Sequence, residues 1–223
     1  MSDSSGTSVD VGKVATPPAE SDNARMATVT LLRRMASVGL SCYMLALWRS
    51  PEPTALFQYH PLTMTAAFVG ALPEGVHTAL MMKRARSMTQ RQTLGRRHMA
   101  LSLAMGILTL CGYVAIYVNK NQRHKSHLAT WHGLIGAVCV LATLAQTFCG
   151  MIVYFRISTN GVLISRLRNA HKYLGLAVVA LGCASMGLGM QSNFATGLLT
   201  SASMKTAFAV ASFVFCASAY VAE

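Results

Sequence analysis

The sequence predicts an all-α membrane protein with six transmembrane helices. Hydrophobic residues fill 53% of the 223 positions and charged residues only 12%, about half the charged share of an ordinary soluble domain. The apolar residues gather into six segments, each near the ~20 residues that cross ~30 Å of hydrocarbon as a helix. Lys and Arg fall in short runs between those segments, which is the pattern of membrane topology. The formal net charge of +12 reflects scarce acids as much as abundant bases, since Glu74 is the single acid between Pro53 and Ala222. A nucleic-acid partner is not expected, because the bases interleave with apolar segments rather than form one basic surface.

Residues 1–28 are polar and rich in Ser, Asp, Pro and Ala, the composition of a disordered tail. They lack the charged-then-apolar order of a cleaved leader. The apolar segments follow at 31–48, 57–82, 97–118, 128–154, 170–190 and 204–222. A backbone in lipid must satisfy its own hydrogen bonds, so each is expected to be helical. The first and sixth hold more small residues than the others. Fourteen bases lie on the side of the N-terminus and of the second and fourth loops, from Lys13 and Arg25 to Arg168 and Lys172. Five lie on the other side: Arg49, Lys120, Arg123, Lys125 and Lys205. The positive-inside rule then puts both termini in the cytosol. The domain reading is a cytosolic tail over 1–28 and a transmembrane domain over 29–222.

Cys42, Cys111, Cys139, Cys149, Cys183 and Cys216 all lie inside apolar segments, without a CxxC pair or a zinc spacing. Small buried apolar residues are the expectation for all six.

Four of the seven histidines stand just inside the start of a segment: His60, His98, His132 and His171. The second and fourth segments enter from the outer face, so His60 and His132 share one depth. The third and fifth enter from the cytosolic face, so His98 and His171 share another. Two facing neutral imidazoles in a bundle core suit a planar metal cofactor, and histidine is a standard axial ligand of haem. An ionisable residue in a span is costly to bury, which makes it a functional candidate. The bland alternative is four unrelated interfacial histidines bonded to headgroups or carbonyls. The depth-matched pairing favours the cofactor. Gly133, Gly136, Gly175, Gly182, Gly187 and Gly189 follow the ligand candidates; they suit either a bulky group close to the backbone or ordinary tight helix packing.

"FQYHPLTM" (57–64), "HLATWHG" (127–133) and "RLRNAHKYLGL…SMGLGM" (166–190) resemble the cytochrome b561 family, most closely its short six-helix transmembrane reductase branch, over about residues 30 to 220. The resemblance implies two non-covalent haem b groups held by a central four-helix bundle. His60 and His132 would be the axial iron ligands of the outer haem, and His98 and His171 those of the cytosolic one. It also implies electron transfer from cytosolic ascorbate to a ferric chelate or monodehydroascorbate on the far side. The "ALLVYR" and "SLHSW" words of the chromaffin-granule branch are absent, so ascorbate is implied by relatives rather than by a motif. "RRHM" stands where some relatives have His-Trp, a change of packing.

Arg96, Arg97 and Lys172 flank the cytosolic pair. They could hold haem propionates or attract ascorbate, or serve topology alone. Arg123, His124, Lys125 and His127 form the one basic cluster outside, against the positive-inside trend, and Lys125 and His127 are candidates for binding an anionic ferric chelate or a haem carboxylate. Glu74 lies fourteen residues after His60, ~21 Å along a helix. Its expected partners are backbone beside Pro73, a ligand imidazole, or His77 one turn on; a proton role is a further option. Besides the transmembrane oxidoreductase, two readings stay open: a non-catalytic haem anchor within a larger electron-transfer complex, and a histidine-based metal or proton transporter. The expected setting is a plasma membrane or an endomembrane such as ER, endosome, lysosome or vacuole. The bilayer is the first partner, and a homodimer is an admissible assembly.

Overall fold

The computed structural model describes residues 55–157 and 160–192, with isolated positions between 27 and 39. The expected sixth segment, nearly all of the first and the tail lie outside the described residues.

Every described element is helical. Helix α1 (Ala55–Thr65) passes through a π turn (Ala66–Ala71) into α2 (Leu72–Arg84), giving one continuous helical rod. The other rods are α3 (Met88–Gln122), α4 (Trp131–Phe155) and α5 (Gly161–Gly189). Helices α3, α4 and α5 are each long and apolar enough to cross a membrane. The first rod packs most extensively on α3, α4 packs on α5, and α3 joins the two by packing on α4.

The helices overrun the apolar segments at one end of the bundle. The segment expected at 97–118 begins at Met88, and the one expected at 170–190 begins at Gly161. Arg91, Arg96, Arg97, Arg166 and Arg168 are therefore helical rather than in loops. Hydropathy marks only the lipid-crossing part, and a polar helix can continue into water if its first N–H groups are capped. Ser87 Oγ accepts from Gln90 N at 3.2 Å, and Asn160 Oδ1 accepts from Val162 N and Leu163 N at 3.0 and 3.2 Å. At the other end Thr130 Oγ1 caps α4 by accepting from Gly133 N at 3.1 Å.

The core draws on all four rods. Ala67, Phe68 and Ala71 of the π turn meet Met105 of α3, Cys139 of α4 and Val178 of α5. A Cβ at Gly182 would stand 2.7 Å from Phe68 Cδ1, so the absence of a side chain there admits the phenyl ring. Large apolar residues face outward at helical spacing, as at Leu103, Ile107, Leu110 and Val114 of α3 and Leu134, Val138 and Leu141 of α4. Such ridges would be unfavourable in water and are natural against lipid. The chain is an integral membrane protein.

Candidate haem centres

The four segment-starting histidines meet in two pairs. The ring centroids of His60 and His132 are 6.1 Å apart, and those of His98 and His171 are 6.0 Å apart. The ring planes are nearly perpendicular in both, at 80° and 85°.

Each ring is held by a backbone carbonyl of a neighbouring rod. His60 Nδ1 donates to Gly112 O at 3.0 Å, and His98 Nδ1 to Gly75 O at 2.9 Å. His132 Nδ1 donates to Ser185 O at 2.8 Å, and His171 Nδ1 to Gln146 O at 3.2 Å. A carbonyl can only accept, so all four Nδ1 atoms carry the proton and all four Nε2 lone pairs are left for a metal. A fixed tautomer with an anchored ring is how proteins orient ligating imidazoles.

The bonds run in a reciprocal pattern. The α1–α2 rod and α3 exchange one bond at each end, and so do α4 and α5. The imidazole pairs cross between these two hairpins. One pair sits at the end holding the α1 start and the α4 start. The other sits at the end holding the α3 and α5 starts.

The side chains fit a haem. A first-row metal lies about 2 Å from an imidazole nitrogen, and the ring centre a further ~1.1 Å away, so two trans imidazoles would have centres ~6.2 Å apart. Both pairs match that spacing. Among the described residues no group of three or more His, Cys, Asp or Glu could hold a metal ion. Two donors alone suit a metal whose other ligands come from a macrocycle. Glycines make room for the rings: a Cβ at Gly150 would stand 2.9 Å from His171 Cε1, and one at Gly189 would stand 3.2 Å from His132 Cε1. Gly136 and Gly175 instead face Ser185 Oγ and Gln146 Nε2, while a Cβ at Gly187 would meet open space.

The remaining expected residues divide between the two ends. Glu74 pairs with Arg97, Oε2 to Nη2 at 3.1 Å. The neighbours of these two, Gly75 and His98, form the adjacent hydrogen bond, so side-chain ion pair and ring anchor lie side by side between α2 and α3. The sequence offers Glu74 other partners than Arg97, because its apolar stretch starts only at Arg97 whereas α3 starts at Met88. Arg96 and Lys172 are exposed, and Lys172 Nζ lies 6.0 Å from the Tyr173 ring centre.

At the other end His127 Nε2 donates to Asn121 Oδ1 at 2.7 Å and stacks on Tyr117 at 4.6 Å. Lys120 Nζ donates to Ser126 O at 3.0 Å. The loop is thus laced to the end of α3, with His124 and Leu128 turning it in the left-handed region at φ 51° and 54°. Lys125 is exposed. Sequence reasoning missed Gly75, Gly112, Ser185 and Gln146. Their contribution is a main-chain carbonyl, which side-chain chemistry does not advertise. Gln146 alone left a signal, as an amide in the middle of the apolar run "LAQTFCG" (144–150).

The eukaryotic cytochrome b561 family model matches residues 59–196. The chain is 29% identical over 167 residues to a Bos taurus protein named transmembrane reductase CYB561D2, which covers 74% of each chain. It is 28% identical over 165 residues to the Mus musculus probable transmembrane reductase CYB561D1, covering 73% of this chain and 70% of that one. It is 29% identical over 96 residues to the Homo sapiens lysosomal membrane ascorbate-dependent ferrireductase CYB561A3, covering 43% and 40%.

Proposed function

The chain belongs to the cytochrome b561 family, and from that premise we propose that it is a two-haem transmembrane reductase moving single electrons from cytosolic ascorbate to a ferric chelate or monodehydroascorbate outside the cytosol. Its reductase character follows the family and the named relatives; the haem count, the direction and the substrates are our reading. Haem b, when bound, supplies one-electron exchange at iron.

The observation that carries the proposal is the set of four Nδ1–carbonyl bonds, which leave four Nε2 lone pairs in two facing couples. In this reading His60 and His132 hold the outer group, and His98 and His171 the cytosolic one. The chain crosses six times with both termini in the cytosol, residues 1–28 form a tail, and 29–222 form the domain. Arg96, Arg97 and Lys172 lie at the end where an anionic donor would arrive. Lys125 and His127 lie at the end where an anionic acceptor would. The apolar core between the pairs keeps water out and fixes their separation.

A pyridine haemochrome assay on purified protein tests the reading. Two non-covalent b-type haems per chain are expected. Covalently bound haem would refute it, and no haem would refute it and return the transporter alternative. Two haems without ascorbate-driven ferric reduction would favour a haem anchor within a larger complex.

A further inference from the structure

We propose that the bundle end carrying the His98/His171 pair is a docking surface for anionic phospholipid headgroups, built by the basic turns that α3 and α5 carry beyond their apolar stretches. This goes beyond the haem reading and does not depend on it. Both helices start nine residues before those stretches, at Met88 and Gly161. Nine residues rise ~13 Å along a helix, and the headgroup layer of one leaflet is ~5–8 Å thick. Each helix thus carries its bases through the phosphate layer at fixed depths. Arg96 and Arg168 stand at the inner edge of that layer, Arg166 about half a turn farther out, and Arg91 at the outer edge. Lys172, just inside, reaches the same layer by extending its stem toward water.

The described residues hold almost no acid to balance this charge. Ten exposed Lys and Arg stand at this end, against three at the other, Lys120, Arg123 and Lys125. Glu74 is the one acid among the described residues, and Arg97 already holds it. Nor do the bases converge on a pocket. A helix turns ~100° per residue, so Arg166 and Arg168 point ~160° apart, and Arg91 and Arg96 ~140° apart. All four are exposed. One small anion would need bases that meet. A girdle facing outward around the bundle needs anions arrayed around it, as in a leaflet of acidic lipid. Arginine suits that partner, because its planar fork takes two phosphate oxygens at once. Bases clustered beside a span are a general means of holding acidic lipid. Insertion topology asks only how many bases lie on one side; it does not require helices that fix them at phosphate depth.

Spin-labelled lipids test this on the full chain reconstituted in phosphatidylcholine vesicles. EPR reads the share of each labelled lipid that the protein immobilises. Labelled phosphatidylserine should be held over labelled phosphatidylcholine by about fivefold, the worth of one base engaged. The preference should fall toward parity near 1 M salt, where the screening length shrinks to ~3 Å. Replacing Arg91, Arg166 and Arg168 together by Gln should bring it to twofold or less, while Lys at the same three positions should keep most of it. Arg123→Gln with Lys125→Gln, at the other end, should leave it unchanged. Equal holding of the two lipids by the wild-type chain overturns the proposal, whatever the variants do. So does a preference that follows Arg123 and Lys125, or one that inorganic phosphate abolishes at matched ionic strength, which would mark a site for a free anion. A preference that emerges only when residues 1–28 are removed would make the acidic tail the occupant and overturn the proposal equally. Wild-type protein without haem would leave these lipid readouts standing and overturn the proposed function instead, so the two failures are distinguishable.

Discussion

His60 and Gly75 stand fifteen residues apart on the first rod, one more than the fourteen that separate His98 from Gly112, His132 from Gln146 and His171 from Ser185. On every rod the first residue is a paired imidazole and the second is the carbonyl that anchors an imidazole of the adjacent rod. In a regular α-helix one extra residue would turn the anchor by ~100° and slide it by ~1.5 Å. The π turn absorbs that residue: Leu72 N–H donates to Ala67 O, five residues back. A π turn is a one-residue insertion in an otherwise regular helix, so the flanks keep their facing.

Removing Gly70 from the π turn should therefore be tolerated, because it restores the fourteen-residue spacing of the other rods. Both haems should remain, with native spectra. Removing the lipid-facing Ile107 from the regular stretch of α3 shortens that spacing to thirteen and should cost at least one haem. If the two deletions behaved alike in well-inserted protein, the register account would fail.

Pairing across the bundle predicts shared phenotypes. His60→Ala and His132→Ala should lose the same haem and give one spectrum; His98→Ala and His171→Ala should give another. Each loss removes one of two axial nitrogens. In the proposed direction the first two variants should keep a haem that ascorbate reduces but lose ferric reduction across the membrane. A spectrum shared by His60→Ala and His98→Ala would contradict the geometry.

The glycine notches can be filled one at a time. Gly150→Val should push on the His171 ring, and Gly189→Val on the His132 ring. Overpacking of this kind costs ~1–3 kcal/mol. The expected readout is selective loss or perturbation of one haem, in the pattern of His171→Ala or His132→Ala. Native optical spectra and potentials in both variants would show that the notches are not needed.

The Glu74–Arg97 pair is half solvated, with Arg97 57% exposed. An exposed ion pair contributes about 0–1 kcal/mol, so Glu74→Gln should lower thermal stability only slightly and leave two haems. Arg97 freed from its partner should then bind the anionic donor at least as well. A rise in the ascorbate KM would instead show that the pair itself orders the donor site.

In the proposed direction, Lys125→Ala combined with His127→Ala in the loop between α3 and α4 should raise the KM for a ferric chelate. Each lost exposed contact is worth about 0.2–1 kcal/mol, so the two together give roughly a two- to thirtyfold rise. Reduction of the haems by ascorbate should be unchanged. An unaltered acceptor KM in folded protein would confine His127 to its contacts with Asn121 and Tyr117.

The membrane class, the helical state of the described apolar runs and the identity of the four paired histidines follow from the sequence alone. These are consequences of one-dimensional patterns: long apolar runs that must be helical in lipid, and an ionisable group placed at the same depth on alternate helices. The tertiary structure decided what one-dimensional patterns do not encode. It gave the histidines their tautomer, because the anchors at Gly75, Gly112, Gln146 and Ser185 are main-chain carbonyls with no side-chain signature. It moved Glu74 onto Arg97, because α3 starts nine residues before its apolar stretch and carries a charged turn alongside α2. It also revealed the π turn, since an inserted residue within an apolar run looks like any other residue until the hydrogen bonds around it shift from the fourth neighbour to the fifth.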